Sequence, residues 1–179
     1  MVEISYLQMV AFISVLWLLI RGICWFQTKT ISWKREAQLM LVYVCIVVVV
    51  RFTFCPFGKV DGQIQPLLFD SSRIFPFWLN LVPFVYLFDY PEWKDALLNL
   101  IGNVAMFIPL GIVWPAVFSK LDTHWKVITA GVGASLIIEI LQLPFFDRAS
   151  DIDDVILNSA GYLIGYGIWL LAKKYRKRI

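Results

Sequence analysis

Acid and amide side chains lie inside two apolar stretches of the C-terminal third of the chain, where they could do chemistry. Glu139 and Gln142 interrupt one apolar run, and Asp154 and Asn158 lie near the start of the next. A short turn between the two runs carries further acids. Polar groups are costly inside a membrane and rarely lie there without a partner or a purpose. We therefore take this stretch as the candidate site.

Two of these carboxylates are candidates for acid or base catalysis. Either Glu139 or Asp154 would act as a general base, and Arg51 would stabilise a developing negative charge. Arg51 lies near the end of an earlier apolar run, at a predicted depth similar to that of Glu139. We expect these two residues to pair, because pairing lowers the insertion cost of both charges. No nucleophile motif accompanies them, so whether the protein is an enzyme stays open.

Other polar residues of the same region are predicted to bind a ligand. These residues are Asn80, Asn99, Asn103, Ser135, Gln142, Arg148, Asp151 and Asn158. A hard cation such as Mg²⁺ or Ca²⁺ is a further option, because these ions prefer oxygen ligands. The candidate metal ligands are Glu139, Asp151, Asp153 and Asp154. The sequence leaves the metal undecided, and no other cofactor is predicted.

The composition is that of an integral membrane protein. Of the 179 residues, 60% are hydrophobic and only 16% are charged, against about 45 to 50% apolar residues in typical soluble domains. The formal net charge is +3. The basic residues fall in blocks that are typical of topology signals, so a nucleic-acid partner is not predicted.

Five apolar runs are long enough to cross a bilayer, which takes about 20 mostly apolar residues. They cover approximately residues 4–26, 39–54, 97–118, 127–143 and 153–172. The predicted fold is all-α: one polytopic membrane bundle of about five transmembrane helices, forming a single domain over residues 1–179. Between the second and third spans, residues 75–88 are apolar and aromatic but broken by proline. This segment is too short to span, so an interfacial and a re-entrant position both stay open.

Charge alternates between the loops. Residues 27–38, 120–126 and 173–178 are basic, whereas residues 55–95 and 147–154 are mixed or acidic. The positive-inside rule therefore predicts an outer N-terminus and a cytoplasmic C-terminus. His124 then lies on the cytoplasmic side, away from the candidate site, and no catalytic role is predicted for it.

Helical geometry places the polar and small residues of three spans on one face each. These stripes are Asn99, Gly102 and Asn103 on the third span, Gly131, Ser135, Glu139 and Gln142 on the fourth, and Asp151, Asp154, Asn158, Gly161 and Gly165 on the fifth. Small residues let membrane helices approach closely. We expect packed protein toward the inner ends of these spans and a polar pocket toward the outer ends.

The same residues resemble the core of the VanZ-like family. The resemblance is carried in order by Asn80-Leu-Val-Pro83-Phe84, Asn99-Leu-Ile-Gly102-Asn103, Phe107-Ile-Pro109-Leu-Gly111, Glu139 with Gln142, the turn Phe145-Phe-Asp-Arg148, and then Asp151, Asp154, Asn158 and Gly161. It covers roughly residues 51–165. The ordered set is more specific than any one motif.

That resemblance implies a role in the bacterial plasma membrane, in resistance of Gram-positive cells to teicoplanin-type lipoglycopeptide antibiotics. The expected partners are the lipid bilayer and a lipid-tailed antibiotic or lipid-linked envelope molecule, which the outer polar pocket would bind or modify. One alternative is a small intramembrane enzyme acting on a lipid-linked substrate. A second is a lipid transporter or flippase, although the chain shows no internal repeat of the kind that many transporters have. The sequence does not predict the oligomeric state.

Overall fold

Five long helices dominate the computed structural model, which describes residues 2–55, 59–60, 63–64, 66–75, 79–85, 93–146 and 150–176. They are α1 (Tyr6–Thr28), α2 (Trp33–Phe54), α3 (Trp93–Val117), α4 (His124–Gln142) and α5 (Ile152–Arg176). All five are long and apolar enough to cross a membrane. The predicted all-α polytopic bundle is confirmed. Helices α2 and α5 also extend into the polar residues that flank their apolar runs, because a helix can continue beyond the hydrocarbon core of the membrane.

The helix ends follow local sequence signals. Ser5 caps α1 through a capping box with Gln8, and Lys29 ends that helix in the left-handed conformation, with φ of 53°. Thr123 caps α4 by accepting a hydrogen bond from the Lys126 backbone amide. Such caps satisfy backbone groups that the first and last turns leave unpaired.

Among the described residues outside the helices, three short strand pairs form. Strand β1 (Val2–Ile4) pairs antiparallel with β4 (Leu67–Phe69), and β2 (Lys59–Val60) pairs antiparallel with β3 (Gln63–Ile64). Strand β5 (Leu79–Asn80) pairs in parallel with β6 (Ser150–Asp151). The sequence did not predict these strands, because two or three residues are too few to show a strand periodicity. Within the described part of residues 75–88, no helix forms.

The helices alternate in direction, so the bundle has two distinct ends. We call the end where α2 and α4 finish and α3 and α5 begin the acidic end, because Glu139, Asp151, Asp153 and Asp154 lie there. The opposite end, with the connections from α1 to α2 and from α3 to α4, is the basic end. Strands β5 and β6 bring the connection before α3 against the one before α5.

Glycines allow α3 and α5 to pack backbone to backbone. A Cβ atom added at Gly161 would collide with the Val104 carbonyl, and one at Gly165 with the Ile108 carbonyl. The expectation that Gly161 and Gly165 serve packing within the chain is confirmed. The interface also buries Phe107 and Tyr162 almost completely.

Helix α1 has no buried residue and attaches to α2 through polar contacts. The Arg21 guanidinium donates to both carboxylate oxygens of Glu36, at 2.9 and 2.5 Å. The Trp25 indole N–H also donates to Glu36, at 3.0 Å. Arg21 therefore pairs within the protein.

Candidate functional site

The predicted polar stripe of α4 faces the protein interior. Ser135, Glu139 and Gln142 are each at most 5% exposed, and Gly131 is buried on the same face against the ring of Tyr162. The helical spacing predicted this face correctly. These polar side chains need partners inside the protein, because lipid offers none.

Glu139 is linked to Asn80 through Asp151. Its Oε2 accepts a hydrogen bond from the Asp151 backbone amide at 3.0 Å, and its carbonyl accepts one from the Ser150 hydroxyl. The Asn80 side-chain amide donates to both carboxylate oxygens of Asp151, at 3.1 Å each. The short parallel pair β5–β6 aligns these groups. Three predicted site residues, Glu139, Asp151 and Asn80, thus form one network.

Asp153 extends this network to a backbone group. Its carboxylate oxygens accept from the Phe84 backbone amide at 2.9 and 3.1 Å, and its own backbone amide donates to Asp151 at 2.9 Å. Asp153 is only 4% exposed. The role of Phe84 could not be found in the sequence, because a backbone amide carries no residue-type signal.

A second group of predicted site residues joins α3 to α5. The Asn103 side-chain amide donates to the Asp154 carboxylate at 2.5 Å and to the side-chain Oδ1 of Asn99 at 2.9 Å. Asn99 and Asn103 are one helical turn apart, so the stripe predicted on α3 meets the start of α5. Both groups lie at the acidic end.

A third contact lies deeper in the bundle. The Asn158 side-chain amide donates to the Ser135 hydroxyl at 3.0 Å, and both residues are almost fully buried. Among the described residues, the carbonyl oxygen of Asn158 and the hydroxyl of Tyr162 find no hydrogen-bond partner. Tyr162 was not predicted as a site residue, although its position one turn beyond Asn158 on the same face of α5 was a usable signal.

Two predicted site residues point elsewhere. Gln142 donates to the Thr53 carbonyl at 2.7 Å, which connects α4 to the end of α2. Arg51 donates to the Cys55 carbonyl at 3.2 Å and faces the ring of Tyr6, 5.6 Å from its centroid.

The expected pair of Arg51 with Glu139 is not among the ion pairs or hydrogen bonds between described residues. Arg51 donates to a carbonyl at the end of its own helix, and Glu139 accepts from β6. Similar depth in the membrane does not determine in which direction a side chain points around its helix axis. Arg148 lies outside the described residues.

The four candidate metal ligands accept hydrogen bonds from different donors. Glu139 accepts from the Asp151 backbone, Asp151 from Asn80, Asp153 from Phe84 and Asp154 from Asn103. Within the described part of the chain, no group of three or more His, Cys, Asp or Glu residues is arranged to hold a metal ion.

Two further polar features lie outside these networks. Hydrogen bonds from the Ser72 hydroxyl and backbone amide hold the pKa of Asp70, which caps a short 3₁₀ turn (Ser71–Ile74), below its ordinary value. At the basic end, the Tyr166 hydroxyl and His124 Nδ1 share a hydrogen bond of 2.7 Å. As expected, His124 lies at the opposite end of the bundle from the candidate site residue Glu139.

The fold and the polar networks define a multi-pass membrane protein whose helices are joined by buried carboxylates and amides. The family model VanZ/LLP1 matches residues 40–173. The chain therefore belongs to the VanZ/LLP1 family. All three polar networks lie within the matched region, as do Gln142 and Arg51.

Comparison with curated proteins agrees with this assignment. The chain is 34% identical over 97 residues to Protein VanZ of Enterococcus faecium, and the match covers 54% of this chain and 55% of that protein. The matched region thus spans about half the length of that relative. No solved structure matches the chain significantly.

Proposed function

We propose that this protein contributes to resistance of Gram-positive cells to teicoplanin-type lipoglycopeptides. Its polar site at the acidic end binds or modifies a lipid-tailed antibiotic or a lipid-linked component of the envelope. The acidic end faces the outer leaflet of the plasma membrane in this proposal. Family membership supports the role in resistance, and the polar networks support the site.

One observation carries the proposal: carboxylates from α4, β6 and α5 gather at one end of an otherwise apolar bundle. Glu139 is buried, and Asp151 and Asp154 at the same end are each held by an asparagine amide. Packing alone could use apolar residues here at a much lower insertion cost. Carboxylates held in place by amides are suited to bind ammonium, hydroxyl or amide groups of a ligand, because hydrogen bonds to charged groups are stronger than neutral ones.

The proposal is tested by removing charge without changing shape. Glu139→Gln and Asp154→Asn keep one oxygen that can accept the hydrogen bonds from Asp151 and Asn103. In a sensitised Gram-positive host, we expect either variant to lower protection against teicoplanin and leave killing by vancomycin, which lacks the lipid tail, unchanged. Ligand affinity should fall by about tenfold or more, since a hydrogen bond to a charged group contributes about 1.5 to 3 kcal/mol.

Asp122→Asn is the matched control. Asp122 is exposed at the basic end, where it pairs with Lys126 at 2.8 Å, so its loss should leave protection intact. Membrane abundance of all variants must be equal. Full teicoplanin protection by both site variants would show that the carboxylates are structural and that the site assignment is wrong.

Binding and catalysis are separated with purified protein. Lipid extracts and antibiotic are incubated with the wild-type chain and analysed by mass spectrometry. A chemically altered lipid or antibiotic would identify an enzyme, with Glu139 or Asp154 as the base. Saturable binding without a product would identify a sequestering or shielding protein.

A further inference from the structure

The segment of residues 79–85, which we call the apolar loop, turns hydrophobic side chains away from the protein. The exposed side chains are Leu79, Leu81, Val82, Phe84 and Val85, with exposed fractions from 46 to 66%. Contiguous exposed apolar side chains of this kind mark interaction surfaces. The loop is irregular apart from β5 and too short to span a bilayer.

The inner side of the apolar loop is polar and fastened to the acidic end. Asn80 donates to both oxygens of Asp151, and its own carbonyl oxygen accepts from the Val82 backbone amide at 3.2 Å. The Phe84 backbone amide donates to both oxygens of Asp153. Polar groups that would otherwise need water are thus bonded beneath the loop, and this leaves an apolar outer face.

The backbone at Phe84 is held in an uncommon conformation. Its φ is 64°, a left-handed value that is rare for a bulky residue. The turn directs the side chain of Phe84 away from the protein, and this residue is 57% exposed. Such strain persists only where surrounding contacts enforce it, and here the bonds from the Phe84 amide to Asp153 do so.

The exposed face of the apolar loop lies at the same end as lipid-facing side chains of the helices. Ile140 and Leu141, in the last turn of α4, and Phe146, just beyond it, are more than half exposed. Ile156, in the second turn of α5, is also exposed. Exposed apolar side chains of residues 79–85, α4 and α5 therefore lie at the same end of the bundle.

We propose that the apolar loop inserts into the boundary between headgroups and acyl chains of the leaflet at the acidic end. Aromatic and aliphatic side chains favour this region when the polar groups of the same segment are satisfied. The loop is then an interfacial anchor and not a re-entrant element. Asp151 and Asp153, which are bonded to the inner side of the loop, are then held at headgroup depth.

The test measures the surroundings of single residues in the full chain reconstituted into liposomes. Cys24, Cys45 and Cys55 are replaced by alanine, and Val82→Cys or Leu81→Cys is labelled with a small environment-sensitive fluorophore. Nitroxide groups placed shallowly in the lipids should quench these labels at least about twofold, as expected for a residue at the acyl boundary, whereas aqueous iodide should quench them little. Nitroxides near the bilayer centre should be less effective than shallow ones.

Ser71→Cys provides the matched control, because Ser71 is an exposed polar residue at the same end; its label should be quenched by iodide. Strong iodide quenching at residues 81 and 82 would overturn the proposal and leave the loop open to a partner from the aqueous side. Protection from both quenchers would also overturn it, and would point to coverage by a second copy of the chain. Strongest quenching by the deep nitroxide would indicate a re-entrant loop instead. Circular dichroism checks that each labelled variant keeps the helical fold.

Discussion

Asn158 illustrates how single polar residues determine the interior of this bundle. Its amide bonds to Ser135 on the neighbouring helix, and the residue is only 1% exposed. Within a membrane the hydrogen bond has no competition from water, but measured contributions of such bonds are modest, about 0.6 kcal/mol on average. The Ser135–Asn158 pair therefore determines which faces of α4 and α5 pack together more than it stabilises their contact.

Removing Ser135 and Asn158 one at a time and together should reveal a direct interaction. Ser135→Ala leaves the Asn158 amide without its acceptor, and Asn158→Ala leaves the Ser135 hydroxyl without its donor. We expect each single variant to lower the free energy of unfolding by about 1 kcal/mol, and the double variant to lose less than the sum of the singles by about 0.6 kcal/mol. Unfolding in mixed micelles with increasing SDS measures these values. Strict additivity would exclude a direct bond.

At the level of elements, the contact between α3 and α5 is the closest in the bundle. Glycines from both helices let main-chain atoms meet: Gly111 lies against the Tyr162 carbonyl, and Gly161 and Gly165 lie against carbonyls of α3. Close approach increases dispersion contacts, which stabilise helix pairs in lipid where the hydrophobic effect does not act between them. It also brings Asn103 within reach of Asp154.

A single added methyl group should separate these two helices. Gly161→Ala places a Cβ atom into the Val104 carbonyl, a backbone group that cannot move aside without shifting α3. We expect the free energy of unfolding to fall by about 1 to 3 kcal/mol, the usual cost of overpacking. Gly167→Ala on the same helix is the control, since nothing lies within 4 Å of its added Cβ, and alanine favours a helix by about 1 kcal/mol over glycine. An equal loss in both variants would show that the glycines do not serve close packing.

For the whole molecule, charge differs between the two ends. The basic end collects Lys29, Lys34, Arg35, Lys120, Lys126, Lys173, Lys174 and Arg176. One of these also has a structural role, because Arg35 donates to the Val117 carbonyl at the end of α3. The acidic end carries acidic and basic residues together. The positive-inside rule predicts that the basic end faces the cytoplasm.

Labelling of intact cells tests this orientation. Ser71→Cys at the acidic end and Ser32→Cys at the basic end are matched substitutions at exposed positions, made in the background without native cysteines. A membrane-impermeant maleimide should label residue 71 in intact cells and residue 32 only after permeabilisation. The reverse pattern would invert the topology and place the acidic site in the cytoplasm.

Much of the architecture was already determined by the sequence. Five apolar runs near the length of a bilayer can only form spanning helices, because lipid leaves no other way to satisfy the backbone of isolated segments. Helical periodicity then placed Ser135, Glu139 and Gln142 on one buried face, and the glycine spacing of α5 predicted a packed interface. These features depend on local geometry, which residue order fixes directly.

The tertiary structure alone decided which polar groups meet. Glu139 bonds to the Asp151 backbone, Gln142 reaches Thr53, and Asp153 holds the strained backbone at Phe84. Such contacts depend on how each helix is rotated about its axis and on the path of the connections between helices. They also depend on backbone N–H donors, which carry no residue-type signal in the sequence. A sequence pattern gives the depth and face of a side chain, whereas its partner is fixed only when the neighbouring elements are packed against it.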